Sequence, residues 1–438
     1  MSTLDTRLIR AVDSAPMGRR LGRIQAFNGL VIESQGPDAR LGELCEIEAD
    51  GGPVPAEVIG FRADRVLLMP YGHVGGIACD SLIRATGRPL TIPVGDALLG
   101  RVVDAFGAPL DRAGPLPLTA SYPLYREPIN PFDRAPIDTP LETGVRAIDT
   151  LLTLGVGQRV GIFAGSGVGK STLLGMLARQ VRADVTVLAL VGERGREVGD
   201  FLRDSLGPDG LRRAVVVVAT SDAPALVRTH AAHAAHAIAE YFRDQGKSVL
   251  LVIDSMTRFA MAQREIGLAA GEPPTFRGYT PSVFSQLPKL LERCGRLERG
   301  GAITGIYSVL VEGDDMNEPI TDHMRAILDG HIVLTRDLAA RGHHPAVDVL
   351  HSASRLMSHV ADEHALHVAR DARRLLATYA ASRDLVELGA HQPGVNAELD
   401  RAVALKPALD MHLQQRPGEH VTRADALARL AALVEEAA

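Results

Sequence analysis

From residue 22 to about residue 88, apolar positions come in short runs broken by glycine. The stretch 22–32 reads as two strands around a turn, and 54–61 and 65–69 continue in the same style. Strands this short and this closely spaced predict a small β-barrel. From 157 to about 335 the rhythm changes. Apolar strands are predicted at 159–163, 185–191, 214–219, 249–253, 302–311 and 331–334, and helices at 170–181, 197–205 and 223–245. Apolar strands that alternate with helices predict a mostly parallel sheet covered on both faces. After Pro345 the pattern reads as helical to the end, with amphipathic, alanine-rich segments at 363–376 and 423–435. The stretch 90–140 is rich in proline and glycine and reads as a connector with little regular structure. The first 20 residues are short, polar and charged, either a helix or a frayed arm. The expected organisation is therefore α/β, with an arm at 1–21, a β-barrel at 22–90, a nucleotide-type α/β core with its connector at 91–345, and helices at 346–438.

Composition narrows the classes. A chain of 438 residues exceeds one ordinary domain. Hydrophobic residues make up 46% and charged residues 23%, enough to bury a real core. The formal net charge of -6 gives no electrostatic footprint for DNA or RNA, so no nucleic-acid partner is expected. The barrel has few aromatics and balanced charge, which weakens an oligonucleotide-binding reading further. Cys45, Cys79 and Cys294 lie far apart, without metal-ligand spacing, and fit a reducing cytoplasm. The start, Met1-Ser2-Thr3-Leu4-Asp5-Thr6-Arg7, lacks the apolar core of a signal peptide. No apolar run approaches the roughly 20 residues that span a bilayer, so membrane association is expected only through a partner.

The chemistry starts at Ala164-Gly165-Ser166-Gly167-Val168-Gly169-Lys170-Ser171-Thr172. Glycines at 165, 167 and 169 let successive backbone N–H groups turn inward into an anion-binding concavity. The helix that follows adds its N-terminal dipole. Lys170 is placed to reach the β- and γ-phosphates of ATP, and the Ser171 hydroxyl to ligate Mg²⁺. The chain has only four lysines, which makes one at this spot less a matter of chance. The competing reading is a glycine-rich turn without a ligand; loop, preceding strand and following helix together argue against it. At 248–255 an apolar strand ends in Asp254, at the sheet edge that carries the loop. Alone, such an aspartate is more often a helix cap; beside a phosphate loop it is a metal-holding carboxylate. In Val191-Gly192-Glu193-Arg194-Gly195-Arg196-Glu197, Glu193 follows the buried strand next after the phosphate-loop helix, and is the candidate that orients and polarises the attacking water. Arg194 and Arg258 are candidates to contact phosphate, against the plainer reading of a surface ion-pair cluster. Arg355 is one arginine among many, and a solvated side chain is its default. His230, His233 and His236 share a helix; no carboxylate or cysteine joins them, so packed polar positions outweigh a metal site.

At this point the chain resembles a known family. Leu99-Gly100-Arg101-Val102-Val103-Asp104, Thr143-Gly144-Val145-Arg146-Ala147-Ile148-Asp149 and the phosphate loop resemble the catalytic subunits of rotary ATPases. Further matches lie at 192–198, at 254–265 (DSMTRFAMAQRE), at 271–274 and at 312–315. The segments GYTPSVFSQLP (278–288) and VEGDD (311–315) point to the type III protein-export ATPases, and Leu68-Met69-Pro70 to their flagellar branch over the virulence-injectisome branch. The resemblance runs from about Gly22 to the C-terminal helices. It implies a β-barrel, a RecA-like P-loop core and a helical C-terminal domain, assembled as a homohexamer with ATP between subunits. It implies Glu193 as catalytic carboxylate, Lys170, Ser171 and Thr172 for phosphate and Mg²⁺, and Asp254 for the metal. It also raises Arg355, in Ser354-Arg355, to an arginine finger acting on a neighbour's ATP. The implied partners are a stator or regulatory protein, a central stalk protein, export substrates with their chaperones, and the membrane export gate, at the cytoplasmic face of the inner membrane. Two positions depart from the pattern: His344 and His391 stand where tyrosine is common. The tyrosine at the first stacks on adenine, and imidazole offers less area, so weaker or pH-sensitive nucleotide binding is expected. The first 20 residues are short for a stator-binding region. Two rivals of other classes are a ring-shaped RNA translocase, which needs a basic, aromatic-bearing barrel, and a non-catalytic nucleotide-binding subunit, against which Glu193 and Arg355 together argue.

Overall fold

A computed structural model describes residues 21–72 and 74–435. The arm expected at 1–21 lies outside the described residues except for Leu21. The chain divides into two compact units. One takes the residues up to Thr91 with Pro224–Leu226 and Glu265–Pro273; the other takes Ile92–Ala223, Val227–Arg264 and Pro274–Ala438.

The first unit holds a closed barrel of six strands: β1 (Leu21–Phe27), β2 (Ile32–Gln35), β3 (Leu44–Ile47), β4 (Val54–Arg62), β5 (Arg65–Pro70) and β6 (Leu82–Ala85), in the order β1-β2-β5-β4-β3-β6. Alternate residues such as Ile24, Ile32, Ile47, Val58, Leu68 and Ile83 fill its interior. Closure leaves no free sheet edge among these strands.

The second unit is built on a long sheet. Its strands are β7 (Val102–Val103), β8 (Arg159–Ala164), β9 (Val185–Glu193), β10 (Ala214–Thr220), β11 (Ser248–Asp254), β12 (Ala302–Leu310), β13 (Gly330–Leu334) and β14 (Val347–Ser354). They run in the order β14-β13-β8-β12-β11-β9-β10-β7, with Gly295–Arg296 paired to β12. From β13 to β7 all neighbours are parallel, and β14 is antiparallel at the edge. The central strands are buried along nearly their whole length, as expected of a sheet covered on both faces. The covering helices are α1 (Arg146–Leu151), α2 (Lys170–Gln180), α3 (Ala225–Asp244), α4 (Met256–Ala270), α5 (Pro281–Leu291) and α6 (Pro319–Ile327). Three further helices, α7 (Glu363–Ala381), α8 (Ala397–Leu413) and α9 (Arg423–Glu435), pack together and against α1, and their apolar faces join the same core as the sheet.

Two expectations need correction. Helical structure does not begin at residue 346. Val347 and Val349 are buried, Asp348 and Leu350 are less so, and this alternation makes β14 an edge strand. The connector at 90–140 is also less irregular than its proline content suggests: Thr91–Val94 pairs with Ala120–Pro123, and β7 closes one edge of the main sheet. The helix expected at 197–205 is present but broken into Gly195–Asp200, a π-helical turn Phe201–Leu206 and Gly207–Arg212. No helix among the described residues is long and apolar enough to cross a membrane.

Candidate active site

In a parallel sheet, ligands bind beyond the carboxyl ends of the strands. The described site forms there, where β8, β9, β11 and β12 end. β8 runs into the phosphate loop, and α2 begins at Lys170 with Gly169 as its N-cap. Gly167 and Gly169 have φ of 81° and 93°, the left-handed values that glycine tolerates and that turn the backbone N–H groups inward. Nothing lies within 4 Å of a Cβ built on Gly167, so that side of the loop is open. Ser166, Ser171 and Thr172 are exposed at the mouth, and Val168 anchors the loop in the core.

Three charged side chains converge beside the loop. The Lys170 ammonium pairs closely with Asp254 Oδ1 and lies 3.8 Å from Glu193 Oε1. Ser308 on β12 donates its hydroxyl to the same Asp254 oxygen at 2.5 Å. Glu193 is aimed by a bulge: the pairing of β9 with β10 slips between Val191 and Glu193, with Gly192 at φ 72°. A Cβ on Gly192 would stand 2.9 Å from Arg258 Cβ, so only glycine fits. Burial pushes the Glu193 carboxyl up to about 7, helped by the nearby Asp254 charge and opposed by the Lys170 ammonium. A carboxylate that titrates near neutrality inside a cleft is suited to handling a water proton.

The remaining candidates fall in different places. Arg258, half-buried, lays its stem along Gly192, and its charge reaches Glu193. Arg194 is largely exposed and pairs with Glu197 at 3.1 Å. His344 is exposed beside the loop, with Nδ1 3.8 Å from a Cβ built on Gly169. Arg355 is elsewhere: its backbone N–H bonds the Asp329 carbonyl, and Asp329 in turn holds Arg159 at the start of β8. It therefore sits at the amino edge of the sheet, and its guanidinium donates to the Arg325 carbonyl at 3.0 Å. His391 pairs with Asp400 at 3.0 Å. His233 and His236 are buried on α3; burial, with the charge of Arg293, pulls both well below their usual range, and His236 Nε2 meets the Tyr307 hydroxyl at 3.1 Å.

Sequence reasoning missed Ser308 and the pair Asp314–Arg336. Ser308 is one of three hydroxyl residues, with Thr304 and Tyr307, inside an otherwise apolar strand, and a buried hydroxyl there needs a partner. Asp314 and Arg336 bond each other at 2.9 Å and lean on the backbone of Gly165.

Residues 144–354 match the ATP synthase alpha/beta family, nucleotide-binding domain; 24–87 match the beta-barrel domain of that family, and 361–432 the T3SS EscN ATPase C-terminal domain. The chain is 52% identical to a flagellum-specific ATP synthase of Bacillus subtilis, over 97% of this chain and 98% of that one. The chain belongs to the type III export branch of the ATP synthase alpha/beta family. Both arms of this export family are represented among its relatives. A type 3 secretion system ATPase of Xanthomonas euvesicatoria is 48% identical, covering 94% of this chain and 93% of that one. The assembled ATPase EscN of enteropathogenic E. coli superposes with a TM-score of 0.88 at 46% identity, covering 94% of this chain and 100% of the other. EscN in complex with its central stalk EscO superposes with a TM-score of 0.87. Family membership accounts for the barrel, the nucleotide-type core and the C-terminal helices in that order.

Proposed function

We propose that the chain is a Mg-ATP-hydrolysing subunit of a homohexameric motor that energises flagellar type III protein export. The observation that carries this reading is the meeting of Lys170, Glu193 and Asp254 at the mouth of the phosphate loop. A lysine held between two carboxylates is ready to exchange partners. When a triphosphate enters the loop, its charge competes with Asp254 for the ammonium, and Lys170 swings to the β- and γ-phosphates. Asp254 is then free.

Magnesium fits the donors that remain. Asp254 and the Ser171 hydroxyl are hard oxygen donors, and no group of three or more His, Cys, Asp or Glu side chains that could hold a metal occurs among the described residues. Two protein oxygens beside a phosphate site suit an ion that takes the rest of its shell from phosphate and water. Bound there, the ion would neutralise charge on the phosphates. Glu193 orients and polarises the attacking water, Gly165–Thr172 cradle the phosphates, and Arg258 and Arg194 supply positive charge at the rim. His344 faces the loop where the base of ATP would lie.

Arg355 cannot serve its own site. The six residues of β8, at about 3.3 Å each, put roughly 17 Å between its edge of the sheet and the loop. An exposed arginine at that edge supports action on a neighbour's nucleotide across a ring interface. The stalk in the EscN–EscO complex supports a central stalk partner here too. A stator protein, export substrates with chaperones and the membrane export gate complete the proposed assembly, at the cytoplasmic face of the inner membrane. The injectisome reading has its own support in the EscN and Xanthomonas relatives.

The test is twofold. The purified chain should hydrolyse ATP with magnesium and lose that activity in Lys170→Ala; retained turnover in the variant refutes the site. Deleting the gene in its own bacterium should abolish flagellar filaments. Intact filaments with lost protein injection would move the assignment to the injectisome.

A further inference from the structure

Asp314 and Asp315 follow β12, and each is tied to a different part of the second unit. Asp314 pairs with Arg336 at 2.9 Å, and both side chains rest on the phosphate loop. A Cβ at Gly165 would collide with Asp314 Oδ1 and come within 3.2 Å of Arg336 Nε and Nη2. Asp315 pairs with Arg277 at 2.9 Å. Arg277 stands beside Phe276, its guanidinium carbon 6.0 Å from the ring centroid, and Phe276 is 69% exposed. Asp314 and Arg277 both have left-handed backbones, φ 58° and 53°, a region that aspartate enters more readily than most residues and arginine seldom.

We propose that Asp314 and Arg336 form a nucleotide-responsive brace on the phosphate loop, and that Asp315 and Arg277 carry its state to the exposed tip at Phe276. The inference rests on the reading that this loop binds a triphosphate. A carboxylate against Gly165 is repelled by the charge that arrives in the loop, and the guanidinium is drawn to it. The pair is about half exposed, 55% for Arg336 and 51% for Asp314, so it is weak enough to give way. Asp314 lies in the turn Glu312–Asp314, whose Gly313 has φ 62°. When it turns, Asp315 moves with it, and Arg277 loses or changes its partner. The tip then shifts with the nucleotide state while making no contact with the nucleotide.

The chain contains no tryptophan, so Phe276→Trp places a single indole at the tip, excited selectively over the seven tyrosines at the red edge of its absorption. The experiment titrates this variant with magnesium and a non-hydrolysable ATP analogue, reads tryptophan emission, and measures binding separately by calorimetry. Emission should shift on binding in F276W. The shift should be lost in F276W/D314N and F276W/R336Q even at analogue concentrations that calorimetry shows to saturate each variant, and return in F276W/R336K. F276W/D315N, which leaves the loop untouched, should lose the shift with affinity unchanged. A shift that persists in the D314N and R336Q variants overturns the proposal, as does a parent that binds without any shift. A parent that binds no nucleotide by calorimetry overturns the nucleotide-site reading itself, and the brace with it.

Discussion

Glu193 feels a push and a pull. Burial and Asp254 disfavour its charge, Lys170 favours it, and the balance leaves it titrating near 7. Water activation needs the ionised form. Turnover should therefore rise with pH through about 7, falling roughly tenfold per unit below that point; a rate that is flat between pH 6 and 8 would contradict the role. Ser308 is the second residue on which the site depends. Its hydroxyl donates to Asp254 at 2.5 Å, and a hydrogen bond to a charged group contributes about 1.5–3 kcal/mol. Ser308→Ala should lower kcat by about tenfold or more, measured by phosphate release, and cost about 1.5–3 kcal/mol in denaturant unfolding. His344 is the third. A larger ring beside Gly169 gives the base more stacking surface, so His344→Tyr should tighten ATP binding. Equal affinity in the two proteins would remove His344 from the site.

At the scale of elements, the bulge in β9 sets where Glu193 points. Gly192→Ala adds a methyl 2.9 Å from Arg258 Cβ at a left-handed backbone, and should cost about 1–3 kcal/mol in denaturant unfolding while misplacing Glu193. α1 offers a pH test. Asp149 is buried and accepts hydrogen bonds from Thr143 and Gly144, yet burial dominates and pushes its carboxyl up to about 6. Its folded value exceeds the ordinary carboxylate value of 3.8, so the folded state holds the proton more tightly. Its contribution to stability therefore falls as pH rises from about 4 to 6, and Asp149→Asn should flatten that slope relative to wild type. Elements of this kind were unevenly legible in the sequence. β8, β9, β11 and α2 could be read because a parallel strand buried on both faces is a continuous apolar run, and because the glycines of the loop punctuate it. β14 was hidden because an edge strand alternates weakly, and His351 and Ser352 blurred its period. α4, α5 and α6 carry mixed residues whose burial depends on what packs against them. The partners of Ser308 and of Asp314 were not legible for the same reason: they meet only once distant strands end side by side.

In the molecule as a whole, the second unit is fastened by a buried charge pair. Arg293 and Glu240 form two hydrogen bonds of 2.9 Å with both side chains 2% exposed. Removing one partner strands the other charge, so Glu240→Ala should cost about 3–5 kcal/mol, read from denaturant midpoints. The ring adds a second prediction at this scale. If Arg355 completes a neighbour's site, mixing inactive Arg355→Ala with inactive Lys170→Ala subunits should restore part of the activity, because some interfaces then carry both residues. The central claim is that Lys170 holds the triphosphate while Glu193 readies water. Glu193→Gln tests it most directly, with calorimetry for ATP binding and phosphate release for turnover on the same sample. The account predicts magnesium-dependent ATP binding close to wild type with turnover abolished; hydrolysis at the wild-type rate in that variant would contradict it.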